Sequence, residues 1–188
     1  MRKRIGIPAL LLVAVIAVSV GLYLFQPWRI FTSSTVIEDV PNAATPAATP
    51  AVEPTQPAEP SASPSAVAPV AVPRELATGQ LISHEHASSG TARILELPDG
   101  SRILRLEGLD TSDGPDLHVW LTDAPVIEGT AGWYVFDDGA YLDLGALKAN
   151  KGDQNYAIPA AAELGDYSSV SIWCARFAVS FAAAELKT

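Results

Sequence analysis

The chain has 188 residues, with 12 Lys or Arg against 21 Asp or Glu and a formal net charge of −9. Residues 1–73 hold four basic and four acidic side chains, so the excess lies wholly in the C-terminal part, where 8 cations face 17 carboxylates. Phosphate contact needs clustered cations, so a domain this acidic repels polyphosphates and anionic headgroups, and nucleic-acid binding is excluded.

Arg2, Lys3 and Arg4 form a short basic stub over 1–4, followed by an uncharged apolar run over 5–25. At ~1.5 Å per residue such a run covers roughly 30 Å, the hydrocarbon thickness of a bilayer. Pro8 falls in the first turn, where a missing N–H costs little. Tyr23 and Trp28 stand at the far end, as interfacial aromatics do. The run is expected to be a single-pass signal anchor that partners the lipid bilayer through residues 5–25. The basic stub would stay in the cytoplasm, and the rest of the chain would lie outside, in the periplasm or at a bacterial cell surface. A cleaved signal peptide fits less well, since the run is longer than such peptides carry and no small-x-small site follows it. No cysteine follows the run closely, which argues against a lipoprotein anchor.

Residues 26–75 read as a disordered stalk. Nine prolines fall between Pro41 and Pro73 among Ala, Ser, Thr and Val. Large apolar side chains are nearly absent, so ordering this backbone would have little buried surface to offset it. Polyproline II bias would make it a semi-rigid spacer between membrane and domain.

Residues 76–188 read as one mostly β domain of roughly 110 residues, large enough for a core without disulfides or metals. Thr91 to Leu97 and Ser101 to Leu109 flank Pro98-Asp99-Gly100, a hairpin in which proline presets the turn and glycine accepts positive φ. Leu117, Val119 and Leu121 alternate with His118, Trp120 and Thr122. Tyr141 to Leu144 and Asn155 to Ile158 are further short strands. Val170, Ile172 and Cys174 share one face, and Phe177, Val179 and Phe181 share one face of the next stretch, so a bulge or turn must fall near Ala175-Arg176. Helical signals are confined to Ala160 to Leu164 and the tail Ala182 to Leu186. Together these predict an antiparallel β-sandwich, or a small barrel-like one.

Cys174 is the single cysteine. In an oxidising compartment it is either a buried small hydrophobe, a redox thiol, or one half of a disulfide-linked dimer. Arg176 stands close enough in sequence to stabilise a thiolate, and Trp173 would border the cysteine on the opposite strand face. In His84-Glu85-His86 both imidazoles share a face if the segment is extended, which would suit a metal, although a solvated strand edge is the simpler reading. Asp110, Asp113 and Asp116 around Gly114-Pro115 resemble a calcium loop loosely and a solvated turn more closely. No histidine follows Cys174, and the lone methionine is Met1, which excludes the usual blue-copper ligand set. There is no Cys-x-x-Cys-His for covalent haem, no Gly-x-Ser-x-Gly and no phosphate-binding glycine loop. A thiolate site remains, bare or haem-ligating, with a histidine such as His86 or His118 on its distal side.

Several elements in order resemble one family. Gly114-Pro115-Asp116-Leu117-His118-Val119-Trp120-Leu121, Leu144-Gly145-Ala146-Leu147-Lys148, Gly152-Asp153-Gln154-Asn155-Tyr156-Ala157-Ile158-Pro159 and Val170-Ser171-Ile172-Trp173-Cys174, with His86-Ala87-Ser88-Ser89-Gly90 before them, are similar to the DM-thirteen "electron transfer" domain. The resemblance runs from about Gly79 to Leu186. It implies a β-sandwich and a redox role for Cys174, as a bare thiol or as ligand to a group such as haem; it supplies no substrate, no catalytic base and no assigned cofactor, and His86 and His118 stand beside Cys174 as cofactor-binding candidates on the residues' own chemistry. The function expected is a membrane-anchored extracytoplasmic electron-transfer module, itself not an enzyme, serving a redox or cell-surface partner. The alternative is a ligand-binding or adhesion module in which Cys174 is structural.

Overall fold

A computed structural model describes residues 6–41 and 72–188. Its elements in chain order are α1 (Gly6–Phe25), a 3-10 turn (Pro27–Phe31), β1 (Thr35–Ile37), β2 (Arg74–Gln80), β3 (Ile82–Ser83), β4 (Ser89–Glu96), β5 (Arg102–Asp110), β6 (Leu117–Thr122), β7 (Tyr141–Ala146), β8 (Lys151–Ile158), β9 (Ser169–Cys174) and β10 (Val179–Glu185). The strands form two five-stranded sheets, ordered β1-β8-β5-β4-β2 and β3-β10-β9-β6-β7. Every pairing is antiparallel except β1 on β8, which is parallel. The sandwich expected from the sequence is therefore present, with a mixed first sheet.

One side of the sandwich is stitched shut. β2 belongs to the first sheet and β3, two residues on, to the second, so the chain crosses between sheets at Leu81. Beside that crossing, Thr78 and Lys187 exchange both backbone hydrogen bonds at 2.8 Å. Gly79 allows the approach, because a Cβ there would lie 2.1 Å from the Glu185 carbonyl oxygen. The main core fills the space between the sheets with Ile94, Leu104, Leu106, Leu117, Val119, Leu121, Val170, Ile172, Val179 and Phe181. A second cluster of Trp120, Ala124, Phe136, Trp173 and Ala183 lies on the other face of the second sheet.

The predicted hairpin forms as argued. Gly100 has φ +82°, and Asp99 Oδ1 accepts from the Ser101 N–H at 2.9 Å and its hydroxyl at 2.6 Å. A turn also separates β9 from β10, with Ala178 at φ 49°. Of Phe177, Val179 and Phe181, read as one strand face, Val179 and Phe181 do share the inward face and Phe177 does not. Phe177 stays in the turn, 42% exposed, and a bulge between Ser180 and Ala182 puts Ala182 inward beside Phe181, so the alternation shifts by one from there on. The tail read as weakly helical, Ala182 to Leu186, is mostly strand, because its small side chains fit against β9 in the centre of the sheet. Ala160 to Leu164 gives only a 3-10 turn over Leu164–Asp166.

Both ends of the expected stalk are revised. Residues 26–41 fold onto the sandwich. Arg29 donates to Asp113 at 3.1 Å and to the Gly114 carbonyl at 3.0 Å, Thr32 donates to Asp113 at 2.6 Å, and the Ser34 N–H reaches Asn150 at 2.7 Å. β1 then pairs with β8 over Thr35 to Ile37, and the Glu38 carboxylate takes both the Lys148 ammonium, at 2.8 Å, and the Asn155 N–H, at 2.7 Å. The other end moves too, since β2 starts at Arg74, which pairs with Glu96. The rest of the proline-rich stretch, 42–71, lies outside the described residues. The chain thus leaves the first sheet after Ile37 and rejoins it at Arg74, at the opposite edge.

α1 is apolar on all sides. Every large side chain from Leu10 to Phe25 is 43–71% exposed. The expectation of a span over 5–25 is not met by the described residues alone. The side chains described in α1, Ala9 to Phe25, would rise only about 26 Å, and among the described residues no helix is long and apolar enough to cross a membrane. The C-terminal end of α1 is held by the domain. Arg176 donates to the Tyr23 and Leu24 carbonyls at 3.3 and 3.0 Å, and Phe25 stacks on Phe177 with centroids 5.6 Å apart. A guanidinium on the last carbonyls satisfies acceptors that the helix leaves open and complements its dipole.

Candidate functional site

β9 is buried on both faces along its whole length, so side-chain alternation sorts its residues between two interiors. Val170, Ile172 and Cys174 face the space between the sheets, and Cys174 is fully buried there, opposite Leu117 on β6 and Val179 on β10. Ser171 and Trp173 face the outer layer, under the chain that runs from Ala124 to Phe136.

Burial pushes the Cys174 thiol up. The backbone N–H groups of Phe177 and Arg176 pull the other way, and the Asp116 and Glu85 carboxylates reinforce the rise. The sulfur is therefore a protonated thiol near neutral pH rather than a nucleophilic thiolate. Arg176, expected to stabilise a thiolate, does not serve it: its guanidinium is bound to the α1 carbonyls. Trp173 does lie on the opposite face of the strand, as expected.

The histidines do not gather around the cysteine. His118 pairs across β9 with Trp173 and so projects from the outer face, away from Cys174, where Nδ1 meets Asp143 at 2.8 Å and Nε2 meets Asp116 at 3.4 Å. His86 lies tilted against Phe181 with centroids 3.9 Å apart and sits 3.1 Å from Glu85. His84 is buried instead. Its Nε2 lies 3.2 Å from the Ile127 carbonyl, and Nδ1 lies 2.9 Å from the Ser180 hydroxyl, to which Ser171 donates at 3.0 Å. A neutral imidazole that donates from Nε2 accepts at Nδ1, which closes the chain Ser171–Ser180–His84. Burial lowers the His84 pKa, partly offset by the Ile127 carbonyl. The chain bends over His84 to His86, so the two imidazoles do not share a face. Among the described residues no group of three or more metal-ligating side chains forms. The aspartates of the loose calcium-like loop have structural partners: Asp113 holds Arg29 and Thr32, and Asp110 holds Lys151.

A haem on Cys174 does not fit this fold. Its iron would have to reach a sulfur enclosed by the main core. The cleft of about 100 Å³ that lies between the end of α1 and the domain, beside His86 and Phe181, is much smaller than the ~300–1,000 Å³ of ordinary cofactor sites. Four other surface clefts, of about 200–500 Å³, also leave Cys174 unlined.

The outer layer carries a group that the sequence reading did not single out. Tyr141 stacks on Trp120 with centroids 4.0 Å apart and planes within 8°, and Trp120 stacks on Trp173 at 5.1 Å. Phe136 meets Trp173 edge-on at 6.3 Å. Exposure falls inward along the stack, from 47% at Tyr141 to 6% at Trp120 and 1% at Trp173.

A family model described as Electron transfer DM13 matches residues 80–186. No curated protein and no solved structure matches the chain. The chain belongs to the electron transfer DM13 family.

Proposed function

We propose that this DM13 protein is a membrane-anchored, extracytoplasmic electron-transfer module whose sandwich rests directly against the outer face of the bilayer. The observation that carries the reading is the junction between α1 and the domain. A helix with apolar side chains on every side is stable in hydrocarbon and costly in water. Its last carbonyls are clasped by Arg176, and the residues that follow are bound to the sandwich by Arg29, Thr32, β1 and Glu38. The basic stub Arg2, Lys3, Arg4 favours retention on the cytoplasmic side, which puts the domain outside. Trp28, 50% exposed, and Phe31, 85% exposed, would then lie at headgroup level.

Within this module Cys174 is the one thiol available for redox chemistry. Its burial favours a second reading for the cysteine, a structural one, in which it packs as a small hydrophobe and bridges no dimer. Voltammetry of the full chain, purified from its own membranes, separates the readings. Electron transfer predicts a reversible wave, and a thiol carrier predicts that Cys174→Ala removes it. A wave that survives in Cys174→Ala assigns the carrier elsewhere in the domain. A native chain with no wave removes electron transfer and leaves a binding or adhesion module.

A further inference from the structure

The Tyr141–Trp120–Trp173 stack has the composition and geometry of a path for single electrons. Tyrosine and tryptophan are the side chains, besides cysteine, that give up one electron most readily, and here three of them touch in sequence with graded burial. Phe136 closes the inner end, since a phenyl ring is not oxidised under the same conditions. Trp173 is also the peptide neighbour of Cys174.

Protons set the direction. The Trp120 indole N–H is buried and has no hydrogen-bond partner among the described residues. An oxidised Trp120 therefore has no acceptor to which it can surrender its proton, so it stays a radical cation that passes the charge on. Tyr141 is nearly half-exposed, so its phenol can release a proton to water as it loses an electron. The oxidising equivalent is thus trapped at the surface end and only transits the buried indoles.

We propose that Trp173, Trp120 and Tyr141 form a one-electron relay that moves an oxidising equivalent from the β9 interior to the domain surface. This rests on the reading of the chain as an electron-transfer module. A high-potential one-electron oxidant of the transition-metal-complex class takes an electron from Trp173 by outer-sphere transfer through the protein, leaving the indole radical cation. Trp120 supplies the missing electron and is refilled in turn by Tyr141, whose phenolic proton goes to water. The net product is one reduced oxidant, one released proton and a Tyr141 phenoxyl radical. A one-electron reductant in the surrounding medium, such as a thiol or a hydroquinone, restores the phenol by giving back an electron, and water returns the proton.

The test uses the full chain in detergent with Trp28→Phe and Trp133→Phe, which leaves Trp120 and Trp173 as its indoles. A laser flash photoionises indole in place, with nitrous oxide present to convert the ejected electron into a hydroxyl radical and excess tert-butanol to consume that radical, and transient absorption follows the protein radicals. The relay predicts that the indole radical signal converts into a phenoxyl signal at a first-order rate independent of protein concentration. Tyr141→Phe keeps the stacked ring and loses the conversion, and Trp120→Phe loses it as well. The relay is overturned if the parent shows no conversion, if Tyr141→Phe retains it, or if the rate scales with protein concentration. The flash needs neither a partner nor the thiol, so failure here is distinct from the absence of a voltammetric wave, which would sink the electron-transfer reading itself.

Discussion

Cys174 and His84 both sit where a polar or reactive atom is enclosed, and each makes its own prediction. With burial raising its pKa, Cys174 should stay unreactive toward thiol reagents near neutral pH until denaturant is added; rapid labelling of the folded chain would contradict the buried placement. Cys174→Ala should cost about 1–2 kcal/mol through a small cavity, and Cys174→Ser more through a buried hydroxyl, as chemical denaturation would measure. For His84 the sign is fixed by burial. The folded pKa lies below the unfolded value of 6.5, so the unfolded chain binds the extra proton first. The stability that neutral His84 contributes is then complete above about pH 6.5 and lost as pH falls through the folded pKa. The thermal midpoint should drop between pH 7 and 5, with His84→Gln flattening that drop; a midpoint equally steep in the variant would remove His84 as its source. The inward face of Cys174 was legible from the alternation of Val170, Ile172 and Cys174. The burial of His84 was not, because nothing local marks a histidine that is paid for by Ser180 and Ile127, residues 96 and 43 positions away.

Strands that announce themselves by alternation or by turn chemistry were readable, and those defined only by a distant partner were not. Pro98-Asp99-Gly100 specifies its own turn. Gly100→Val should therefore cost about 1 kcal/mol or more from the positive φ alone, because a Cβ there meets no neighbour among the described residues, while Asp99→Ser, which keeps an acceptor, should cost less. Equal effects on the denaturation midpoint would count against this account of the turn. β1 is the opposite case. Its three residues carry no pattern, and it exists through β8, the Arg105 guanidinium on the Glu38 carbonyl at 2.9 Å, and the Lys148–Glu38 ion pair. Gly152 is the element's weak point, with φ +99° and a Cβ position 2.0 Å from the Val36 carbonyl oxygen. Gly152→Ala should detach β1 while the sandwich stays folded. Amide exchange should then lose protection at Val36 to Glu38 and keep it in β9, whereas loss of protection throughout would mean that β1 is not separable. The aromatic stack escaped the sequence for a related reason: Tyr141, Trp120 and Trp173 stand on three strands, and only the register of β7, β6 and β9 brings them together.

On the scale of the whole molecule, the segment from Arg29 to Glu38 changes what the proline-rich stretch can be. A spacer between membrane and domain would let the sandwich drift free once cut. Here the chain is already bound to the domain before that stretch begins, so residues 42–71 connect two edges of one sheet, and cutting them leaves α1 held to the sandwich by non-covalent contacts. The residue types there, rich in Ala and Val and without Lys or Arg, suit elastase. The decisive measurement is external elastase on spheroplasts, followed by membrane sedimentation and immunoblotting of the C-terminal fragment. The account predicts that the nicked fragment, beginning between about residues 42 and 72, sediments with the membranes through β1 and the Arg29 and Glu38 contacts, and that Gly152→Ala releases it. Immediate release of the native fragment on cutting would contradict the docked arrangement, and protection of the chain until the cells are lysed would contradict its placement outside the membrane.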